Sequence, residues 1–86
     1  MIQVKEAVAN AFNFLRDIYG GESLHDIRLE EVEQSEDGKS WRITLSFLRD
    51  LSPLATALGK FSREYKVFSV DAATGAVQSM KIRQLT

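Results

Sequence analysis

The side chains that could carry out a reaction are few in this chain. The one histidine, His25, lies in the run Glu22-Ser23-Leu24-His25-Asp26. Catalytic triads are assembled from distant parts of a fold, so neighbouring Ser, His and Asp residues are more typical of a polar loop. With no cysteine there is no thiolate zinc site and no cysteine nucleophile. No phosphate-binding loop, dinucleotide fingerprint or nucleophile elbow occurs. We therefore expect a non-enzymatic protein without metal or other cofactor.

Charge is distributed unevenly along the sequence. Residues 22–37 hold seven acids and one base, whereas residues 38–86 hold eight bases and three acids. The acidic segment lacks the D-x-D-x-D-G spacing of a calcium loop. It is then either an edge strand whose charges keep it soluble and are balanced by neighbouring strands, or a docking patch for a basic partner. The net charge of -1 argues against a dedicated nucleic-acid binder.

The elements that position these residues begin with a helix. Apolar residues recur at helical spacing from Val4 to Tyr19, and Gly20-Gly21 supplies a helix stop. No apolar run is long enough to span a bilayer, and no signal peptide is recognisable. We therefore expect a cytoplasmic protein without a membrane partner. The 86 residues make a single domain, 1–86.

Two hairpins follow the helix. In the first, Gln34 is expected opposite Ser40 across a turn at residues 35–39, and a β-bulge is expected near Glu30–Glu33 because Val32 otherwise points to the wrong face. In the second, Asp71 is expected opposite Ala76. That register places Val67 opposite Met80 and Lys66 opposite Lys81. Between the hairpins, residues 53–59 form either a short helical turn that ends at Gly59 or an ordered loop.

The predicted fold class is α+β, with one N-terminal helix packed across a four-stranded antiparallel sheet. Such a helix covers one sheet face and leaves the other for solvent or a partner. The predicted registers assign to this open face a basic part and an apolar end, and hence a set of candidate partner-binding residues: Arg42, Leu48, Lys66, Phe68, Val70, Val77, Lys81 and Arg83.

The closing segment Tyr65-Lys66-Val67-Phe68-Ser69-Val70-Asp71-Ala72-Ala73-Thr74-Gly75-Ala76-Val77 resembles the closing hairpin of PepSY-like domains, where the pattern Y-x-V-x-x-D-x-x-T-G-x-V recurs; this chain has three residues, not two, between Val67 and Asp71. These modules occur in thermolysin-type protease propeptides and in many bacterial proteins. The N-terminal helix and the strand that begins at Trp41 fit the same order of elements. The resemblance implies a cystatin-like fold of a helix on a sheet, and binding, often inhibitory, rather than catalysis.

The sequence therefore predicts a small binding module that docks a protein or peptide through its open sheet face, with homodimerisation as one form of docking. Two other functions stay open. The first is a purely structural homo-oligomerisation domain. The second is a weak binder of nucleic acid or another anionic ligand through Arg42, Lys66, Lys81 and Arg83.

Overall fold

In a computed structural model, an N-terminal helix packs on one face of a four-stranded antiparallel sheet, which confirms the predicted fold class. The structure describes residues 1–20, 24–49, 57–59 and 62–83. Its elements are α1 (Val4–Tyr19), β1 (Leu24–Gln34), β2 (Ser40–Arg49), β3 (Ser62–Asp71) and β4 (Val77–Ile82). Within these residues the sheet has the order β1-β2-β3-β4, so β1 and β4 are its edge strands.

Helix α1 has the bounds that its apolar spacing predicts. Ala7, Ala11 and Leu15 lie about one turn apart and are fully buried against the sheet. The helix ends at Gly20, whose N–H donates to the carbonyl of Arg16 at 2.8 Å. The helix therefore presents a single apolar stripe to one face of the sheet.

The first hairpin contains the predicted bulge, but its register near the turn differs from the prediction. Leu29 lies opposite Leu45, the partner that the expected Gln34–Ser40 register gives it, whereas Gln34 itself lies opposite Trp41, one residue further along β2 than expected. The register shift falls at Glu30, inside the stretch where the bulge was expected. Because of this shift, Val32 lies on the helix side of the sheet.

The central pair of strands decides which residues form the core. Ile43 of β2 lies opposite Phe68 of β3, and Trp41 lies opposite Val70. Opposite residues in an antiparallel pair share a face, so Phe68 and Val70 lie beneath the helix, where both are 0% exposed. The predicted placement of Phe68 and Val70 on the open face is therefore wrong.

The second hairpin has the predicted turn but not the predicted register. Asp71 donates its backbone N–H to the carbonyl of Ala76 at 2.8 Å, as expected. A register shift between Ser69 and Val70 then moves the rest of β4 by one residue, so that Met80 lies opposite Phe68 instead of Val67. An extra residue in β4 lets both Val77 and Met80 pack on the helix side.

The turn of this hairpin also holds the helix. Gly75 adopts a positive φ of 81°, and its carbonyl accepts a hydrogen bond of 2.9 Å from Nδ2 of Asn10 in α1. A Cβ at Gly75 would lie 2.8 Å from that same nitrogen, so another residue would displace the Asn10 amide and would also be strained at this positive φ. Nearby, the N–H of Ile2 donates to the carbonyl of Ala72 at 2.7 Å. The start of the chain is thus tied to the last hairpin.

The segment between β2 and β3 is described only at residues 57–59. Most of residues 53–59 lies outside the described residues, so the choice between a helical turn and a loop stays a prediction. Gly59 has a φ of 72°. Among the described residues, none forms a helix with the length and apolar character that crossing a membrane would require.

Candidate functional site: the open face of the sheet

The sheet face opposite the helix presents polar and charged side chains from all four strands. Its centre is a groove of about 470 Å³. The floor is formed by Thr44 of β2 and Val67 of β3, which lie opposite each other. Around them, charged residues of β1, β2 and β4 form the walls, together with Ile82 at the end of β4. The lining consists of Glu31, Glu33, Arg42, Thr44, Val67, Lys81, Ile82 and Arg83.

Arg83 links the two edges of the sheet across this groove. Its Nη1 lies 2.5 Å from Oε1 of Glu31 and 3.3 Å from Oγ1 of Thr44, to which it donates a hydrogen bond. Three strand spacings separate β4 from β1, a distance of roughly 14 Å in a flat sheet. The two side chains therefore meet over the middle of the face. This ion pair fixes the relative position of β1 and β4 on the open side.

A second group of ion pairs ties β1 to the neighbouring strands. Nη1 of Arg42 donates to Oε1 of the cross-strand residue Glu33. Further along β1, Asp26 lies 2.5 Å from Nη2 of Arg63 and 2.8 Å from Nη2 of Arg28. Hydrogen bonds and charge from Arg28, and then from Arg63, hold the pKa of the Asp26 carboxyl below its ordinary value.

Asp26 occupies a break in the regular strand. The pairing of β1 with β2 is irregular between His25 and Arg28, and Asp26 has a φ of 50°. Aspartate tolerates the left-handed region better than most residues, and here its side chain contacts two arginines. Nη1 of Arg63 also donates to Oγ of Ser46 at 2.8 Å. The break therefore directs a carboxylate onto the open face.

These contacts bear on the first of the two alternatives for the acidic segment, whereas a docking role for the segment stays a prediction. Glu31, Glu33 and Asp26 all pair with bases of the sheet, so the expectation of an edge strand whose charge is balanced by neighbouring strands is confirmed for them. The open face is correspondingly less basic than a count of its cations suggests. Among the lysines and arginines of the groove, Lys81 alone has no acidic partner within the described part of the chain.

The predicted site residues divide between the two faces. Arg42, Lys81 and Arg83 line the open-face groove, and Leu48 lies half-buried on the same face, opposite Arg63. The other four predicted residues lie on the helix side, because β3 pairs with β2 one residue out of phase with the prediction and so turns its other face toward the helix. These residues are Lys66, Phe68, Val70 and Val77. The structure therefore brings together the basic part of the predicted surface and removes its apolar end.

Lys66 occupies the helix side in an unusual environment for a lysine. Its residue exposure is 8%, it lies opposite Leu45, and its Nζ is 4.0 Å from Oε1 of Glu64. Glu64 in turn lies 3.3 Å from Nη1 of Arg49, whose guanidinium stacks over the ring of Tyr19. Lys66 is therefore part of an internal ion-pair chain near the end of the helix. The prediction that Lys66 contributes to the basic open face is therefore wrong.

Comparison with known proteins yields no matching family model, no matching curated protein and no matching solved structure.

Sequence reasoning missed four residues of the groove: Glu31, Glu33, Val67 and Ile82. The two glutamates were considered only as members of an acidic segment, and Val67 was assigned to the core. The bulge at Glu30 could have indicated Glu31 and Glu33, because it places them opposite Thr44 and Arg42, respectively, on the open face. No comparable local signal existed for Val67, since its face depends on the pairing of β3 with β2.

Proposed function

We propose that this protein is a non-enzymatic binding module that docks a protein or peptide partner on the open face of its sheet. The observation that carries the proposal is the groove of about 470 Å³ on a face that no described element covers. Apart from Lys81, the charged groups around it are guanidinium–carboxylate pairs. Arginine keeps its proton at all physiological pH values, so such pairs suit recognition and positioning better than proton transfer.

The groove supports docking because its walls are held in place before a partner arrives. The pairs Arg83–Glu31 and Arg42–Glu33 order side chains that would otherwise lose conformational entropy on binding. Between these pairs, Val67 offers a half-buried apolar floor. A partner that contributes an apolar side chain to the floor and an acidic group to Lys81 would match both features.

The resemblance to PepSY-like domains belongs to the same proposal. A single helix on a four-stranded antiparallel sheet is compatible with the fold that the resemblance implies. Binding, often inhibitory, is the activity that the resemblance suggests. Nucleic acid is less well supported as a ligand, because Arg42, Arg63 and Arg83 are already neutralised by acids and Lys66 lies on the other face.

The test is to fill the groove and ask whether binding is lost. Peptides are first selected from a displayed random library on the wild-type chain, and their affinities for variants are then measured by isothermal titration calorimetry. Val67→Lys places a long cationic side chain on the groove floor, where the ammonium can still reach water. The matched control is Leu29→Lys, at a half-exposed position on the other side of the sheet.

We expect the selected peptides to bind Leu29→Lys as they bind the wild type and to lose roughly tenfold or more in affinity for Val67→Lys. Circular dichroism checks that both variants remain folded. Peptides that bind a folded Val67→Lys with wild-type affinity, or a selection that enriches none, would contradict the proposal.

A further inference from the structure

The two edge strands carry backbone groups that point away from the sheet. On β4, the N–H of Arg83 donates to the carbonyl of Tyr65 at 3.0 Å, and the register from Ser79 to Ile82 is regular. Hydrogen bonds in an antiparallel pair alternate along the strand, so the N–H and C=O groups of Met80 and Ile82 face outward. No described strand pairs with this outer edge of β4.

The outer edge of β1 has the same property near its end. The N–H of Ser35 donates to the carbonyl of Ser40 at 2.9 Å, and the register is regular from Glu31 to Gln34. By the same alternation, the backbone groups of Val32 and Gln34 face outward. The bulge at Glu30 limits the regular edge to this short stretch.

The side chains along these two edges are complementary. On the helix side, Ile82 is 72% exposed at the β4 edge and Val32 is 36% exposed at the β1 edge. On the open side, β4 carries Lys81, which has no acidic partner among the described residues, and is followed by Arg83, whereas β1 carries Glu31 and Glu33, which also pair within the molecule with Arg83 and Arg42. Pairing β1 with β1 would bring acids together, and pairing β4 with β4 would bring bases together. Only the mixed pairing matches charge and apolar surface at once.

We infer that β4 of one molecule pairs antiparallel with β1 of a second copy of this chain. With Ile82 opposite Val32 of the second copy, the outward backbone groups of both residues form a hydrogen-bonded pair. The same register places Lys81 opposite Glu33 and Arg83 opposite Glu31 of that copy, and Met80 opposite Gln34. Side chains that face each other in this register lie on the same side of both sheets, so the two helices also lie on one side.

This association is head-to-tail and does not close on itself. Each added copy leaves one β1 edge and one β4 edge unpaired, so assembly continues as an open series instead of ending at a dimer. The paired stretch is four residues long on each strand, from Glu31 to Gln34 on β1, and buries less surface than a standard stable interface. We therefore expect weak self-association that grows steadily with protein concentration.

The experiment uses two variants, each with one edge blocked. Ile82→Pro removes an outward N–H from β4, and Val32→Pro removes an outward N–H from β1; neither N–H takes part in the pairing within the molecule. Sedimentation equilibrium across a hundredfold concentration range measures the mass of each variant alone and of their equimolar mixture. Circular dichroism verifies the fold of both variants.

We expect the mass of the wild type to rise beyond that of a dimer, and each variant alone to remain at the monomer mass of 9.7 kDa. The mixture should reach a dimer and go no further, because each variant contributes one usable edge. Lys81→Glu should weaken wild-type association by up to about tenfold, whereas Lys5→Glu on the exposed side of the helix should leave it unchanged.

Three results would overturn the inference: a wild type that is monomeric throughout, a mixture that stays monomeric, or a single blocked variant that still forms dimers. If a proline variant does not fold, amide hydrogen exchange of the wild type provides the second test. Exchange at Val32 and Ile82 should slow as concentration rises, and equal exchange at low and high concentration would also overturn it. Val67→Lys leaves both edges intact, so its association should equal that of the wild type.

Discussion

Truncation of Phe68 tests whether β3 turns this residue or its neighbour Val67 toward the helix. Phe68 is 0% exposed, its ring meets Phe14 of the helix edge-to-face at 6.3 Å between centroids, and it lies opposite Ile43. Phe68→Ala is expected to cost about 3–5 kcal/mol, because it removes a buried ring and leaves a cavity. Val67→Ala, on the open face, is expected to cost less than about 1 kcal/mol.

The size of the effect can be set against the stability of the whole domain. A chain of 86 residues is expected to have a free energy of unfolding of about 4–13 kcal/mol. With a urea dependence near 1 kcal/mol/M, Phe68→Ala should lower the urea midpoint by about 3–5 M, or unfold the protein without urea. Phe68→Leu, at about 1.5 kcal/mol, serves as a milder variant that should remain folded.

Urea unfolding followed by far-ultraviolet circular dichroism measures all three variants. The reasoning is refuted if Val67→Ala costs more than Phe68→Ala, because that order is the one expected when β3 lies in the opposite phase. An introduced charge such as Phe68→Glu would unfold the protein, because it would place a carboxylate at a position that is 0% exposed. It therefore cannot report on partner binding.

Three further predictions concern the turn, the pH dependence and the core. Gly75→Ala should lower the free energy of unfolding by about 2–3 kcal/mol, because of its positive φ and the clash with Asn10. Gly38→Ala should cost less, because its Cβ would meet nothing closer than 3.8 Å. Equal costs in urea unfolding would contradict this prediction. Hydrogen bonds from the backbone N–H groups of Thr74 and Ala73 lower the pKa of the Asp71 carboxyl. The charged carboxylate therefore stabilises the folded state fully above the ordinary aspartate pKa, and this stabilisation is lost as the pH falls through the lowered pKa. The difference in urea midpoint between wild type and Asp71→Asn should therefore shrink from neutral pH to about pH 3, and a constant difference would refute the assignment. Trp41→Phe should change the free energy of unfolding by less than about 1 kcal/mol, because the buried indole N–H has no acceptor among the described residues. Trp41→Ala, which also removes the ring, should cost about 2–4 kcal/mol. A large cost for Trp41→Phe in unfolding followed by circular dichroism would point to an acceptor for the indole N–H.

The elements that follow from local rules could be predicted from the sequence. The helical spacing from Val4 and the stop at Gly20 gave the correct helix, and both hairpin turns lie where their turn residues place them. The bulge at Glu30 was also predictable, since a regular strand would have turned Val32 away from its apolar neighbours. In each case the deciding interactions lie within a few residues.

The face of β3 could not be predicted in the same way. Its two faces are both partly apolar, with Tyr65 and Val67 on one and Phe68 and Val70 on the other. A regular second hairpin favours the first set, but the extra residue in β4 and the pairing with β2 select the second. Pairing between β2 and β3 joins segments that are distant along the chain, so no local pattern fixes its phase.

Because the face of β3 was not predictable, only part of the candidate site was predicted correctly. Arg42, Lys81 and Arg83 were placed together correctly, because their own strands have clear alternation on that face. Their acidic partners were not predicted, since Arg83 reaches Glu31 on the opposite edge of the sheet. The resulting groove is a mixed-charge surface instead of the basic and apolar one expected.

The contact between Asn10 and Gly75 has a consequence for how the chain folds as it is made. Residues 65 positions apart must meet before the helix is fixed on the sheet. A ribosome releases the helix first, and at about 5–20 residues per second the last hairpin follows several seconds later. During that interval the apolar stripe of Ala7, Ala11 and Leu15 has no completed sheet to cover it. We therefore expect newly made chains to expose this stripe to chaperones and to one another until the strands that cover it have emerged.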